Sequence, residues 1–396
     1  MAKRVVLAYS GGLDTSVAIP YLAEQGYEVI AVAVDVGQPG DLSEAIDRAA
    51  TLGAVDAFLV DAKVRFVEEF VIPALAMNAL YQGRYPLTSA LSRPLISQIL
   101  IEVARDKGAT AVAHGCTGKG NDQVRFDVSL STLAPDIEVL APVRDWDMNR
   151  EQTIAYAKER SLPITTTKSS PYSIDENLWG RSIECGVLED PWAAPPQDIY
   201  RLTSDPATSP GGPRDVEISF DEGRPVAIDG EVLEPQHVIE SLGKLAGSFG
   251  VGRIDMVEDR LVGIKSREIY EVPAAIALIT AHADLESLTL ERRVAREKRK
   301  LEATWADLVY EGLWFSPLRE ALDAFGATTQ SSVTGDVRLR FTPGSCVAVG
   351  RRSSASLYDF SLATYDEGDS FDQSHAAGFI KLWGLPTRRW SQVQRG

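Results

Sequence analysis

The sequence predicts an α/β protein: a parallel sheet flanked by helices, then a second α+β domain, then a short C-terminal helix. Three observations carry this. Over the first ~160 residues short apolar strands alternate with segments of helical spacing, as βα units do. The strands are continuously apolar, as strands covered on both faces are. Beyond them a proline-rich stretch gives way to a mixed order of strands and longer helices.

The elements follow in order. Residues 4–9 (RVVLAY) form a strand, and 15–25 a helix whose apolar set is Val17, Ile19, Tyr21 and Leu22. Residues 28–34 are a second strand, 42–53 a helix, 57–60 a strand, 92–107 a helix and 110–113 a strand. Residues 120–133 and 150–160 are helical. Residues 162–214 are loop-rich, with Pro163, Pro171, Pro191, Pro195, Pro196, Pro206, Pro210 and Pro213. Then come strands at 216–220, 225–228, 261–265, 336–342 and 346–350, among helices at 235–245, 273–293 and 301–310. The segment 374–385 carries Phe379, Ile380, Leu382, Trp383 and Leu385. Apolar bulk near a terminus docks on its own subunit or is exchanged between subunits, and exchange is the sharper expectation.

Composition narrows the function. The 396 residues are 44% hydrophobic, with a formal net charge of −16. Such a chain repels nucleic acid and anionic membrane. The basic run at 292–300 (RRVAREKRK) reads as a solvated helix face, with Val294, Leu301, Trp305 and Leu308 at helical spacing beside it. Cys116, Cys185 and Cys346 are far apart and form no C-x-x-C, so neither a disulfide framework nor a zinc site is implied. No leader-like or spanning stretch is present, and the expectation is a soluble, cytoplasmic protein.

One motif carries chemistry. Ala8, Tyr9, Ser10, Gly11, Gly12, Leu13, Asp14, Thr15 and Ser16 follow a strand and open a helix. The glycines free the backbone, the helix start favours an anion, and the hydroxyls add donors. A Walker A loop would need a lysine that is absent here; G-x-G-x-x-G is absent too. Residues 115–120 (GCTGKG) have a lysine, but the wrong glycine spacing and no hydroxyl residue after it. An ordinary Gly-Gly turn explains the glycines but not the hydroxyls and carboxylate around them.

S-G-G-x-D-[ST]-S after a first strand resembles the loop of the ATP pyrophosphatases. Together with RYPLTSALSRP (84–94), HGCTGKGNDQVRF (114–126), APVRDW (141–146), SPYSIDENLWGRSIE (170–184) and KSREIYEVPA (265–274), it resembles the argininosuccinate synthases over almost the whole chain. The resemblance implies an adenine nucleotide alpha hydrolase-like domain at 1–165, a synthetase and multimerisation domain at 166–365 and an oligomerisation segment at 366–396. It implies ATP-dependent joining of L-citrulline and L-aspartate through a citrullyl-adenylate, with AMP and pyrophosphate released, in a homotetramer of arginine biosynthesis. Magnesium is expected to travel on the ATP phosphates rather than in a protein cage.

The resemblance also implies the site. ATP would be held by the nine loop residues, by Val34 at the end of the second strand and by Gly115. Citrulline would meet Tyr85, Asn121, Arg125, Ser173, Ser182, Glu258 and Tyr270. Aspartate would meet Thr117, Asn121 and Asp122. Arginine suits a bidentate carboxylate clamp, and Asp122 could pair with an ammonium. Asp14 would either orient a magnesium-bound water or help cap the helix. Ala90 stands where many family members have serine, which leaves one citrulline hydrogen bond to Ser89 or to nothing. No general base is evident, and His114 is either a packed strand-end residue or a catalytic one. Two other readings remain at this point: a tRNA-modifying ligase, disfavoured by the acidic charge, and a non-catalytic nucleotide sensor.

Overall fold

A computed structural model describes residues 3–146, 148, 150–162, 171–209 and 212–396. Pro163, Ser170 and Pro210, named above, lie outside the described residues. Strands β1 (Lys3–Ala8), β2 (Tyr27–Asp35), β3 (Asp56–Asp61), β4 (Ala111–Ala113) and β5 (Glu138–Leu140) form a five-stranded sheet of order β3-β2-β1-β4-β5, parallel throughout. The order reverses beside β1, so the carboxyl ends of β1 and β4 flank a crevice where α/β sheets place ligands.

The rest of this unit is antiparallel. β6 (Ser173–Asn177) and β7 (Gly180–Glu184) make a hairpin; β8 (Arg214–Asp221), β9 (Arg224–Ile228) and β10 (Glu231–Val232) follow; then come β11 (Arg253–Asp259), β12 (Lys265–Glu271), β13 (Gly335–Thr342) and β14 (Ser345–Arg352). They form a four-stranded sheet, β11-β12-β7-β6, and a five-stranded sheet, β10-β9-β8-β13-β14. Helix Pro273–Thr289 packs against β13 and β14. The second unit, Ser356–Gly396, holds helices Phe360–Ala363, Ser374–Trp383 and Leu385–Gln394. Among the described residues no helix is long and apolar enough to cross a membrane.

Several expectations needed correction. Residues 173–184, read as loop, are the β6–β7 hairpin; its strands SIDEN and GRSIE are polar, so no apolar pattern marked them. Residues 261–264 are a turn rather than part of a strand: Arg260 N–H donates to Ile264 O at 2.8 Å and Gly263 takes φ +85°. The helix expected over 273–293 stops at Thr289. Leu290 is extended, and the Glu291 carboxylate accepts from Arg293 N–H at 2.7 Å to cap a new helix, Arg292–Tyr310. The helix expected from Ser92 begins at Thr88, with Pro94 inside it. Helix Pro317–Gln330 was not foreseen.

The basic run lies on the outer face of helix Arg292–Tyr310 with one exception. Lys298 is 1% exposed, its Nζ 3.0 Å from Glu286 Oε1 and 2.7 Å from Glu302 Oε1. Asn78 Nδ2 donates to Glu286 Oε2 and Glu302 Oε1, and Gln330 Nε2 donates to Glu286 Oε1. With these amide nitrogens committed, their oxygens face the two ring nitrogens of buried His282, each at 2.7 Å. That arrangement favours the doubly protonated ring, against the burial that pushes its pKa down.

Candidate active site

The first wall of the site is the turn after β1. Gly11 takes φ +73°, a region glycine enters at no steric cost, and a Cβ there would stand 3.0 Å from Ala45 Cβ. Arg48 Nη1 donates to Gly11 O at 2.9 Å. Gly12 is the extended residue before helix Leu13–Glu24, whose N-terminus has no side-chain cap among the described residues. That start presents free N–H groups and a positive dipole end to an anion. Ser10 Oγ and Thr15 Oγ1 lie 3.1 Å apart beside it. Ala8, Tyr9, Ser10, Asp14 and Thr15 line the cleft. Gly11, Gly12 and Leu13 supply the turn's backbone, and Ser16 points inward, bonded to Tyr9 Oη at 3.2 Å.

The loop after β4 meets this turn. A Cβ on Gly115 would stand 2.7 Å from Thr15 Cγ2, so only glycine lets the two loops touch. His114 is fully buried; its Nε2 lies 2.7 Å from Asp127 Oδ1, and its Nδ1 accepts from Cys116 N–H at 3.2 Å. These partners put the proton on Nε2 and make His114 a packed support of the loop. Burial pushes the Asp127 carboxyl up, but bonds from His114 and Arg144 outweigh it and leave the group below its ordinary value. Burial, reinforced by Asp122, pushes the Cys116 thiol well above its usual range, so it is no nucleophile.

Helix Asp122–Leu133 brings the next group. Asn121 Nδ2 donates to Tyr310 Oη at 2.8 Å, and its Oδ1 accepts from Leu261 N–H at 2.9 Å. Asp122 Oδ2 accepts from Arg93 Nε and Nη2 at 2.9 and 2.7 Å, and Oδ1 from Arg125 Nη1 at 2.9 Å. Burial opposes its charge, but the two guanidiniums hold the carboxyl well below the usual range. Arg125 Nε donates to Tyr310 O at 3.0 Å, and its guanidinium lies 4.9 Å from the Tyr310 ring centre. Its Nη2 is buried with no hydrogen-bond partner among the described residues, an unspent charged donor in the cleft wall.

The floor is one face of the four-stranded sheet. Ser182 stands opposite Tyr270 and Asp175, Ser173 opposite Glu184, and Glu258 opposite Ser266. Side chains alternate along each strand, so these residues share a polar face. Tyr270 Oη and Tyr310 Oη donate to Glu258 Oε2 and Oε1 at 2.7 and 2.6 Å. Burial raises the Glu258 pKa, with these bonds opposing. Tyr85 stacks on Tyr270 at 4.1 Å, and burial pushes its hydroxyl up to about 12.

Thus Tyr85, Thr117, Asn121, Asp122, Arg125, Ser173, Ser182, Glu258 and Tyr270 line the same cleft of about 640 Å³ as the phosphate turn, Val34 and Gly115. Ala90 is buried away from it, whereas Ser89 lines it with Oγ 3.5 Å from Ser182 Oγ.

Several neighbours escaped the sequence reading, among them Arg93, Glu184, Arg260, Glu268 and Tyr310. Arg260 Nη2 bonds both Glu184 and Glu268. Burial and the adjacent Glu184 carboxylate push Glu268 up to about 8, against Arg260. Arg93, Glu184 and Glu268 fall inside quoted motifs, and alternation on β12 puts Glu268 on the face of Tyr270. No local signal marks Arg260 or Tyr310.

Two family models match the chain: "Arginosuccinate synthase N-terminal HUP domain" over residues 4–163 and "Arginosuccinate synthase C-terminal domain" over residues 172–390. Curated relatives named argininosuccinate synthase resemble it along its length. That of Synechococcus sp. (strain JA-3-3Ab) is 58% identical, covering 100% of this chain and 98% of the relative. That of Brevibacillus brevis is 57% identical (100% and 95%), and that of Oceanobacillus iheyensis 56% (99% and 94%).

Proposed function

This chain belongs to the argininosuccinate synthase family, and on that premise we propose that its cleft holds ATP, L-citrulline and L-aspartate side by side, with magnesium on the ATP phosphates. The protein is an ATP-dependent ligase of arginine biosynthesis. Its reaction joins citrulline to aspartate, and ATP leaves as AMP and pyrophosphate. The ureido oxygen of citrulline is a poor leaving group; attack on the α-phosphorus makes it one, and the aspartate amine then displaces AMP.

The residues divide by chemistry. The turn from Ala8 to Ser16 takes the β and γ phosphates, because its donors are already aimed before charge develops on the leaving group. Gly115 completes that seat, and Val34 meets the base. Arg125 Nη2, the unspent donor, takes the citrulline carboxylate, and Glu258 the α-ammonium; Tyr85, Asn121, Ser173, Ser182 and Tyr270 complete the citrulline site. Thr117, Asn121 and Asp122 face aspartate, with Asp122 kept ionised by its arginines. Asp14, in the first helical turn beside the phosphates, suits a water of the magnesium shell, whose charge would neutralise the departing pyrophosphate.

The observation that carries this reading is that the anion-binding turn and Arg125, with its buried unpartnered Nη2, line one cleft. Pyrophosphate release should require citrulline and aspartate together, and citrulline labelled with 18O in its ureido group should deliver the label to AMP. Release that ignores either amino acid, or AMP without label, rejects the reading.

We assign 1–165 to ATP, 166–365 to the synthetase and multimerisation part and 366–396 to oligomerisation, in a cytoplasmic homotetramer. Support for the last segment lies in its own surface: Phe379, Ile380, Leu382 and Trp383 are all exposed. Deleting 370–396 should lower the mass in sedimentation equilibrium; a truncated chain with the full-length mass refutes the assignment.

A further inference from the structure

The nucleotide end of the cleft holds an arrangement that neither the phosphate turn nor the amino-acid sites use. In β2 the odd-numbered residues bond to β3: Val55 N–H reaches Val29 O, and Ala62 N–H reaches Asp35 O. The even-numbered residues face β1, where Tyr9 N–H reaches Val32 O at 2.9 Å. Pairing with β1 ends at Ala8 opposite Val32. The next groups on that side, Val34 N–H, Val34 C=O and Val36 N–H, therefore continue with no strand beside them. Along the chain they read donor, acceptor, donor.

Gln38 folds back onto this edge. Its Nε2 donates to Val34 O at 2.7 Å, and its Oε1 accepts from Val36 N–H at 2.8 Å. Val34 N–H has no hydrogen bond among the described residues, although Val34 is buried. An orphaned buried donor of this kind calls for a partner. Val32, Val34, Val36, Gln38 and Pro39 line the cleft here, an apolar wall suited to a flat ring.

A donor–acceptor–donor edge suits two purines, one step apart. Adenine can give its 6-amino hydrogen to Val34 C=O and accept Val34 N–H at N1. Guanine, in the same orientation, can accept Val36 N–H at O6 and give its N1–H to Val34 C=O. Gln38 Oε1 closes Val36 N–H and removes the second register. Val34 C=O has two lone pairs and can serve the base and Gln38 together.

We propose that Gln38 determines nucleotide specificity: its amide caps Val36 N–H and leaves a base seat that adenine matches and guanine does not. This rests on the reading of Val34 as the base contact. Gln38→Met keeps the length and loses both bonds, whereas Gln38→Glu keeps an acceptor for Val36 N–H. Pyrophosphate release with citrulline and aspartate is measured with ATP and with GTP. The ATP-to-GTP ratio of kcat/KM should fall about tenfold or more in Gln38→Met and stay near the parent in Gln38→Glu. A parental ratio in Gln38→Met, or equal relaxation in both variants, overturns the proposal. Gln38→Ser, which also vacates Val36 N–H, gives the same readout if methionine is not accommodated. N6,N6-dimethyl-ATP tests the premise with the unaltered enzyme, because it has no 6-amino donor. If it is used as readily as ATP, Val34 is not the base contact; if it is rejected while Gln38→Met keeps the parental ratio, the role of Gln38 alone fails.

Discussion

Replacing Arg125 by alanine should raise the KM for citrulline about a hundredfold, the loss of a charge-assisted carboxylate clamp. The KM for ATP should stay near the parent value, since the phosphate turn is built from other elements. The same side chain also holds structure: it bonds Asp122 and Tyr310 O and lies on the Tyr310 ring. Stability should therefore fall as well, by about 2–3 kcal/mol and less than for a wholly broken buried pair, because Arg93 still holds Asp122. Steady-state kinetics with each substrate varied, together with urea unfolding, separates the two effects. An unchanged citrulline KM in the folded variant removes Arg125 from the citrulline site.

Lys298→Met should strongly destabilise the fold. It leaves Glu286 and Glu302 facing each other's charge in a buried setting, at a cost of about 3–5 kcal/mol. The pH dependence has a definite sign. Burial pushes the Glu286 carboxyl up, but His282 and Lys298 outweigh it and hold the pKa below its ordinary value. In the parent that depression stabilises the fold above the unfolded glutamate pKa and is lost as pH falls through the lower native value. The variant has less of it to lose, so the gap between parent and variant should narrow on acidification. Equal unfolding midpoints at neutral pH would show that Lys298 is dispensable.

The N-terminal sheet was legible because its signals are local. Continuous apolar runs mark β1 and β2, and the Gly-Gly turn with its hydroxyls marks the anion seat. The floor was harder to read. SIDEN and GRSIE are strands because they pair with each other and with β12, and their outward polar faces are the site itself, which erases the apolar alternation a strand is read by. Lys298 misled for a related reason: the other basic residues of the run are exposed, and only the carboxylates of Glu286 and Glu302 explain one lysine turned inward. The family motifs reached Ser173, Ser182 and Tyr270, and the family spacing to Tyr270 reached Glu258; their bland types would not have singled them out. Arg260 and Tyr310 lie outside those motifs, and the fold alone places them against the floor.

The buried polar cluster around Lys298 also sets an order in time. The parallel sheet is complete once residue 140 has been made. Asn78 is synthesised with that part, yet its amide partners Glu286 and Glu302 lie 208 and 224 residues downstream. Its hydrogen-bonding groups must stay in water until helix Arg292–Tyr310 has left the ribosome. The nascent chain can therefore build its nucleotide platform early but cannot close this cluster until most of the protein exists. A chain arrested before residue 298 would display the platform with this polar seam still hydrated and open.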